Sequence, residues 1–394
     1  MTRGSTDWRA VWVVFAAGLV CGAHITKAPP ALPALRVDLG IGLVESGFIH
    51  TAMFAFGAVA GVLAGVAADR FGQKRFALYG MAMMTAGGVI GAAAPGYTLL
   101  LASRFIEGAG FILLTVAAAP LLTAATQPAD RPMAFSLWSS YMPAGGTLAL
   151  LGAPLALATL GWRGLWLALA ACTGLCWVLL ARRTPVPSFG GQVSSLTLLT
   201  ESLTRPGTLA LCLVFICYVG QWVSVMTWLP TFVVDERGAS ATKAALLTAA
   251  FVAINIPGNL LGGVLLRRGV PRWIVLCGAA VAMGCTGAGL LSQAAPDAVR
   301  LAAALAFSVL GGMIPAAVFS GAPVHARSAQ HIGTTNGMIM QASQLAQFIV
   351  PVLIAWVAAR AGGWSASLQL MLALAAAGIA AGLAVGLFER RLSP

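Results

Sequence analysis

Four ionisable residues lie inside runs that are otherwise apolar. Residues 21–33 read CGAHITKAPPALP and place His24 and Lys27 together; residues 104–110 read RFIEGAG and place Arg104 and Glu107 together. Side chains three apart share a helix face, so Arg104 and Glu107 can pair. Charge within hydrocarbon is costly, and such residues usually face an internal cavity. Arg104 therefore reads either as an anion contact or proton-linked site tuned by Glu107, or as an ion pair or backbone-bonded arginine that holds the fold. Of the eleven carboxylates only Glu107 lies well inside a run, while Glu45, Asp235 and Glu236 sit at outer ends. Glu107 and His24 are the candidates for proton coupling, the latter because imidazole titrates near neutral pH. A cavity holding Lys27 and Arg104 with one acid is net positive and favours anions.

The elements that position these residues are membrane spans. The chain is 59% hydrophobic and 9% charged over 394 residues, with a mean hydropathy of +0.90. A soluble domain carries about 25% charge, so this is an integral membrane protein. Twelve runs are long enough to cross a bilayer as helices, near 10–34, 43–67, 76–94, 97–124, 132–157, 162–181, 207–233, 244–266, 272–292, 298–322, 334–358 and 364–388. No alternating barrel pattern is present. The run near the N-terminus follows Arg3 and Arg9 as a signal peptide would, but lacks a small-residue cleavage site and is expected to stay.

The net charge of +12 sits in short connections, where it reports topology rather than nucleic-acid binding. With both termini inside, inner segments hold fifteen Lys and Arg residues and outer segments six. The expected location is a bacterial cytoplasmic membrane, multi-pass, with cytoplasmic termini. The seven cysteines lie in apolar runs without a CxxC pair and read as small hydrophobes. His24, His50, His325 and His331 have no metal-ligand spacing, and no phosphate-binding loop occurs, so neither metal nor cofactor is expected.

A shift of 197 residues overlays Asp38 on Asp235, Gly65 on Gly262, Arg70 on Arg267, Gly72 on Gly269, Arg75 on Arg272 and Arg163 on Arg360. Internal repetition of this kind marks a duplicated unit. The expected fold is an all-α membrane protein of twelve transmembrane helices in two pseudo-symmetric six-helix bundles. Residues 1–181 form the first bundle, 182–206 a cytoplasmic linker, and 207–394 the second. The shift also overlays His24 on Gln221 and Lys27 on Ser224, which moves both span-one residues toward a binding site.

Residues 65–75 read GVAADRFGQKR. This stretch resembles the G-x-x-x-D-R-x-G-R/Q-K/R-R signature of the major facilitator superfamily, and the spans, repeat and central loop extend the resemblance over the whole chain. Gly65 permits close helix approach, and Asp69 can pair with bases or with a neighbouring helix N-terminus. The resemblance implies that Gly65, Asp69, Arg70, Gly72, Lys74 and Arg75 latch an inner gate in the outward-facing state. The second copy has Leu266 where the aspartate would be, so the latch is expected to rest on the first.

The resemblance implies a secondary active transporter working by alternating access, without enzymatic activity. The family's exporter signature is incomplete in span five, where Ala153 follows Gly152 and nothing matches beyond Pro154, which disfavours multidrug or metabolite efflux by proton antiport. A membrane-embedded enzyme or receptor-like scaffold would need a constellation that is not visible. Span one and the Leu-Trp-Ser stretch of span five loosely resemble the cyanate/nitroimidazole permease branch. The expected substrate is a small organic anion, aromatic ones included, carried by a monomer, with proton coupling open. Candidate substrate contacts are His24, Lys27, Arg104, Tyr141, Gln221, Trp222, Asn255, Asn259 and Gln344. The glutamines of span eleven, Gln341, Gln344 and Gln347, are otherwise expected to bond between helices.

Overall fold

The computed structural model of the chain describes residues 5–41, 43–185, 195–238, 241–292, 294–361 and 363–392. Its described secondary structure is helical, because a backbone in hydrocarbon must satisfy its own polar groups. Ten described segments are long and apolar enough to span a membrane. One of them, 131–183, is divided by a kink at Gly161 (φ 67°), and Gln73–Ala92 is a further 20-residue helix, so the described residues agree with ten to twelve crossings.

The chain divides into two compact units. The first comprises residues 1–134, 141–203 and 326–341. It contains α1 (Trp8–Thr26), α2 (Ala28–Leu39), α3 (Leu43–Phe71), α4 (Gln73–Ala92) and α5 (Tyr97–Ala125). After α6 (Arg131–Ser139) it continues with α7 (Tyr141–Arg183) and α8 (Ser195–Leu203). Within it α1 packs on α5 and α7, and α4 packs on α5 and α7. Residues 186–194 of the expected linker lie outside the described residues; its C-terminal part is the helix α8.

The second unit comprises residues 135–140, 204–325 and 342–394. It contains α9 (Pro206–Arg237), α10 (Ala241–Ala253), α11 (Asn255–Arg267), α12 (Arg272–Leu291), α13 (Asp297–Gly311), α14 (Met313–His325) and α16 (Ser367–Leu392). The helix α15 (Ile332–Ala361) contributes its first ten residues to the first unit and the remainder to the second. Gly72 and Gly269, equivalent under the 197-residue shift, both take positive φ, at 106° and 84°. Each ends the helix that carries its copy of the glycine-and-arginine motif, a conformation that glycine adopts without a Cβ penalty.

The first membrane run breaks at Lys27, between α1 and α2. Proline at the start of α2 removes donors where a helix has no intrahelical use for them. Lys27 itself keeps helical geometry and donates its backbone N–H to Ala23, so the break redirects the chain without uncoiling it.

Candidate functional site

The three-residue spacing on α1 points His24 and Lys27 the same way, and the same spacing on α5 does so for Arg104 and Glu107. The two pairs meet inside the first unit, where all four side chains are fully buried. Lys27 Nζ donates to Glu107 Oε1 at 2.6 Å, and the same oxygen lies 3.2 Å from His24 Nδ1. Arg104 donates from one terminal nitrogen to Glu107 Oε2. Lys27 Nζ also lies 3.1 Å from His24 Nδ1 and 4.5 Å from the centre of the Trp166 ring. One carboxylate thus serves two cations and one imidazole.

Arg104 is both ion-paired and backbone-bonded, the arrangement of the reading in which it holds the fold. Besides pairing with Glu107, it donates through Nε to the Ile49 carbonyl at 3.0 Å and through its other terminal nitrogen to the His24 carbonyl at 3.0 Å. It therefore ties α5 to α3 and α1 through backbone. Lys27 has no backbone acceptor for its ammonium among the described residues; its partners are Glu107, His24 and the Trp166 ring. That contrast divides the labour: Arg104 is anchored, and Lys27 is held by side chains alone.

Thr173 on α7 completes the cluster, its Oγ1 2.9 Å from His24 Nε2. Its hydroxyl was not legible as a site residue, because a threonine in an apolar helix can satisfy itself on the carbonyl four residues back, as Thr173 does on Leu169 at 2.7 Å. Trp166, seven residues earlier on the same helix, was also missed; the seven-residue spacing on one face was the available signal. Room for the cluster comes from α4, where a Cβ at Gly87 would lie 2.7 Å from Glu107 Cγ.

The second feature of this unit lies at the far end of α3. Asp69 accepts at Oδ1 from the Gly333 N–H at 3.0 Å and from Gln73 Nε2 at 3.0 Å. At Oδ2 it accepts from the N–H and hydroxyl of Thr334, at 2.5 and 2.7 Å. The carboxylate caps the first turn of α15, satisfying donors that a helix start leaves open and meeting the positive end of its dipole. The helices approach closely because Gly65 has no side chain: a Cβ there would stand 2.6 Å from the Gly333 carbonyl oxygen. Of the motif's basic residues, Lys74 donates to the Thr184 carbonyl at 2.6 Å, Arg70 lies over the Phe71 ring, and Arg75 is exposed.

A family profile described as Major Facilitator Superfamily matches residues 10–351. The chain belongs to the major facilitator superfamily. It is 24% identical over 403 residues to the hexuronate transporter of Bacillus subtilis, a match covering 96% of this chain and 93% of that one. It is 25% identical over 378 residues to the probable sulfoacetate transporter SauU of Cupriavidus necator, covering 90% and 87%. Its fold is that of FucP, a major facilitator superfamily transporter solved in the outward conformation, with a TM-score of 0.80 at 17% identity over 95% of this chain and 97% of that chain. As a superfamily member it is a multi-pass membrane transporter of small molecules, not an enzyme.

Of the remaining candidates, Trp222 and Asn255 bond to another helix, whereas Asn259, Gln221 and Gln344 bond within their own, so the expectation of bonding between helices is not met at Gln344. Trp222 Nε1 on α9 donates to Ser308 Oγ on α13 at 2.9 Å. Asn255 Nδ2 donates to the Ser308 carbonyl at 2.7 Å and lies 3.3 Å from the Tyr218 hydroxyl. Asn259 Nδ2 donates back to Asn255 Oδ1 at 2.7 Å. Trp222, Asn255 and Asn259 thus form one buried network, separate from Gln221, which donates to the Cys217 carbonyl at 3.0 Å and whose buried Oε1 has no hydrogen-bond partner among the described residues. Gln344 is buried and accepts from Gln347 on its own helix at 3.3 Å, whereas Gln341 Oε1 accepts from the Val62 N–H of α3 at 2.9 Å. Tyr141 is buried in the first unit, where Gly22 packs against its carbonyl.

Proposed function

We propose that the chain carries a small organic anion, together with a proton, across the bacterial cytoplasmic membrane by alternating access of two six-helix bundles, as a monomer with both termini in the cytoplasm. The observation that carries this reading is the buried group of Lys27, Arg104, His24 and Glu107. Counting His24 as neutral, its two cations and one carboxylate leave one positive charge in a low-dielectric interior. Such a charge is held there at high cost unless an anion joins it.

Glu107 occupies the place that a substrate carboxylate or sulfonate would take. Protonating Glu107 removes the internal anion and frees Lys27 to bind the external one, which couples proton and substrate uptake. Arg104, fixed on two carbonyls, keeps the site in shape during the exchange. Hexuronate and sulfoacetate, named for two relatives, are small anions of this kind. They are the first probes to use, ahead of the ligands of the cyanate/nitroimidazole branch. Asp69 and its motif would latch α15 in one state of the cycle and release it in the other.

The test is uptake of radiolabelled glucuronate and sulfoacetate into liposomes containing the purified protein, with and without an inwardly directed proton gradient. Accumulation that follows the gradient supports the reading. Solute extrusion driven by proton entry, or equal uptake of cationic and anionic solutes, would overturn it.

A further inference from the structure

His24 is the one member of the buried cluster whose hydrogen positions are not fixed by its own chemistry. A neutral imidazole carries a proton on one nitrogen and a lone pair on the other, and a neighbouring bond decides which. Thr173 makes that decision. Its hydroxyl has one hydrogen, and the nearer acceptor for it is the Leu169 carbonyl at 2.7 Å. Toward His24 Nε2, 2.9 Å away, the oxygen therefore presents a lone pair. In that arrangement Nε2 brings the proton, and Nδ1 is left bare. The bare nitrogen faces Lys27 Nζ at 3.1 Å and Glu107 Oε1 at 3.2 Å.

We infer that Thr173 is a positioning residue that holds His24 in the Nε2–H tautomer, making His24 Nδ1 the port through which a proton reaches Glu107. The inference rests on the proton-coupled reading and deepens it by assigning the route. The proton comes from hydronium, which is left as water, when the transport cycle opens this buried cluster to the aqueous side. It adds to the Nδ1 lone pair, which gives imidazolium and displaces the Lys27 hydrogen bond. The Nδ1–H then faces Glu107 Oε1. Transfer across that contact breaks N–H, forms O–H, and leaves a neutral carboxyl and a neutral imidazole still bonded to Thr173 through Nε2–H. Lys27 has lost its anion and is ready for another.

The opposite tautomer cannot do this. With hydrogen on Nδ1, that N–H would reach Glu107 Oε1 but leave no lone pair there to take up a proton, it would confront the Lys27 ammonium, and Nε2 would present a lone pair to the lone pair of Thr173. The charged and titratable groups facing His24 among the described residues are Lys27 on its own helix and Arg104 and Glu107 on α5. From α7 it meets Thr173, and from α4 the backbone at Gly88, neither of which titrates.

The tautomer is directly observable. The chain has four histidines, so nitrogen NMR of protein labelled with ¹⁵N-histidine in liposomes gives few signals, and the spectrum of H24Q assigns the one of interest. The expected result is a protonated Nε2 and an unprotonated Nδ1 in the wild type at neutral pH, retained in T173S, which keeps the hydroxyl. T173V removes the acceptor and shifts signal toward the Nδ1–H form. A wild-type Nδ1–H signal, or a T173V spectrum identical to wild type, overturns the inference, and the wild-type spectrum decides even where a variant fails to insert. In the same vesicles, T173V lowers proton-driven accumulation of radiolabelled glucuronate roughly tenfold or more relative to its exchange rate, with recovery in T173S. An unchanged ratio overturns the inference. Absence of any glucuronate movement in the wild type counts against the transport reading instead, and leaves the tautomer measurement standing.

Discussion

Lys27 Nζ stands 2.6 Å from Glu107 Oε1, although 80 residues separate them. The contact closes a buried group in which Glu107 neutralises charge from α1 and α5 together. Removing the carboxylate leaves two buried cations with no anion. Breaking a buried pair by deleting one partner costs about 3–5 kcal/mol. E107Q is therefore expected to unfold at clearly lower temperature in detergent than the wild type. K27M/E107Q, which removes a cation as well, recovers part of the loss. A double variant no more stable than E107Q would show that Lys27 is not coupled to this carboxylate.

Lys27 and Arg104 carry equal charge and different obligations. Arg104 holds two backbone carbonyls on α3 and α1, whereas the described contacts of the Lys27 ammonium are with side chains. R104Q should lose helix packing as well as charge, with a lower unfolding temperature and little protein in the membrane. K27Q should insert and unfold close to wild type while substrate-dependent thermal stabilisation by glucuronate or sulfoacetate disappears. Equal loss of fold in the two variants would refute this division.

Much of the architecture was legible because hydrocarbon imposes length and composition on every span. The pairing of Arg104 with Glu107 could be read from their spacing alone, since both lie on α5. The closure by Lys27 could not, because adjacency of α1 and α5 is a property of the bundle and not of either segment. The same limit applies to Asp69. Its type and position predicted a helix N-terminus or a base as partner, but only the fold selects Gly333 and Thr334, more than 260 residues away. Thr173 was invisible for a different reason: nothing in its local sequence distinguishes a threonine that also serves a histidine. Trp162 is buried and donates to Asp38 at 3.0 Å, and its partner, 124 residues away, could not be read from the local sequence.

Asp69 supplies four acceptor contacts, two of them to backbone donors in the first turn of α15. Losing such a cap costs about 0.5–2 kcal/mol. The effect should be local: in D69A, amide hydrogen exchange accelerates in peptides covering 332–341 and stays at wild-type rates in α12. D69N keeps one acceptor oxygen and should fall between. Uniform acceleration along the chain would instead indicate global destabilisation.

Gly65 and Gly333 let α3 and α15 approach to backbone contact. A Cβ at residue 65 would meet the Gly333 carbonyl oxygen at 2.6 Å and Thr334 Cα at 2.9 Å, and backbone atoms cannot rotate aside. G65A should therefore push the helices apart, with an overpacking cost of about 1–3 kcal/mol. It should also loosen the Asp69 cap, so its exchange pattern over 332–341 resembles that of D69A. A G65A protein with wild-type protection there would mean the approach is not required.

Asp38 offers a pH test outside the membrane spans. Arg163 donates to its Oδ2, Trp162 Nε1 donates to the same oxygen at 3.0 Å, and both hold the carboxyl below the usual carboxylate range. A carboxylate whose folded pKa is depressed contributes stability that is present above its unfolded pKa of about 3.9. That contribution is lost as pH falls from there through the lower folded value. Arg163 also donates to the Ala94 carbonyl at 3.1 Å, so the contact joins α2 and α7 to the end of α4. D38N removes the charge and keeps an oxygen for Trp162. Its unfolding temperature should sit slightly below wild type at pH 7 and converge with it as the pH is lowered past about 4. Curves for the two proteins that stay parallel over that interval would show that Asp38 is not the acid-sensitive group at this corner.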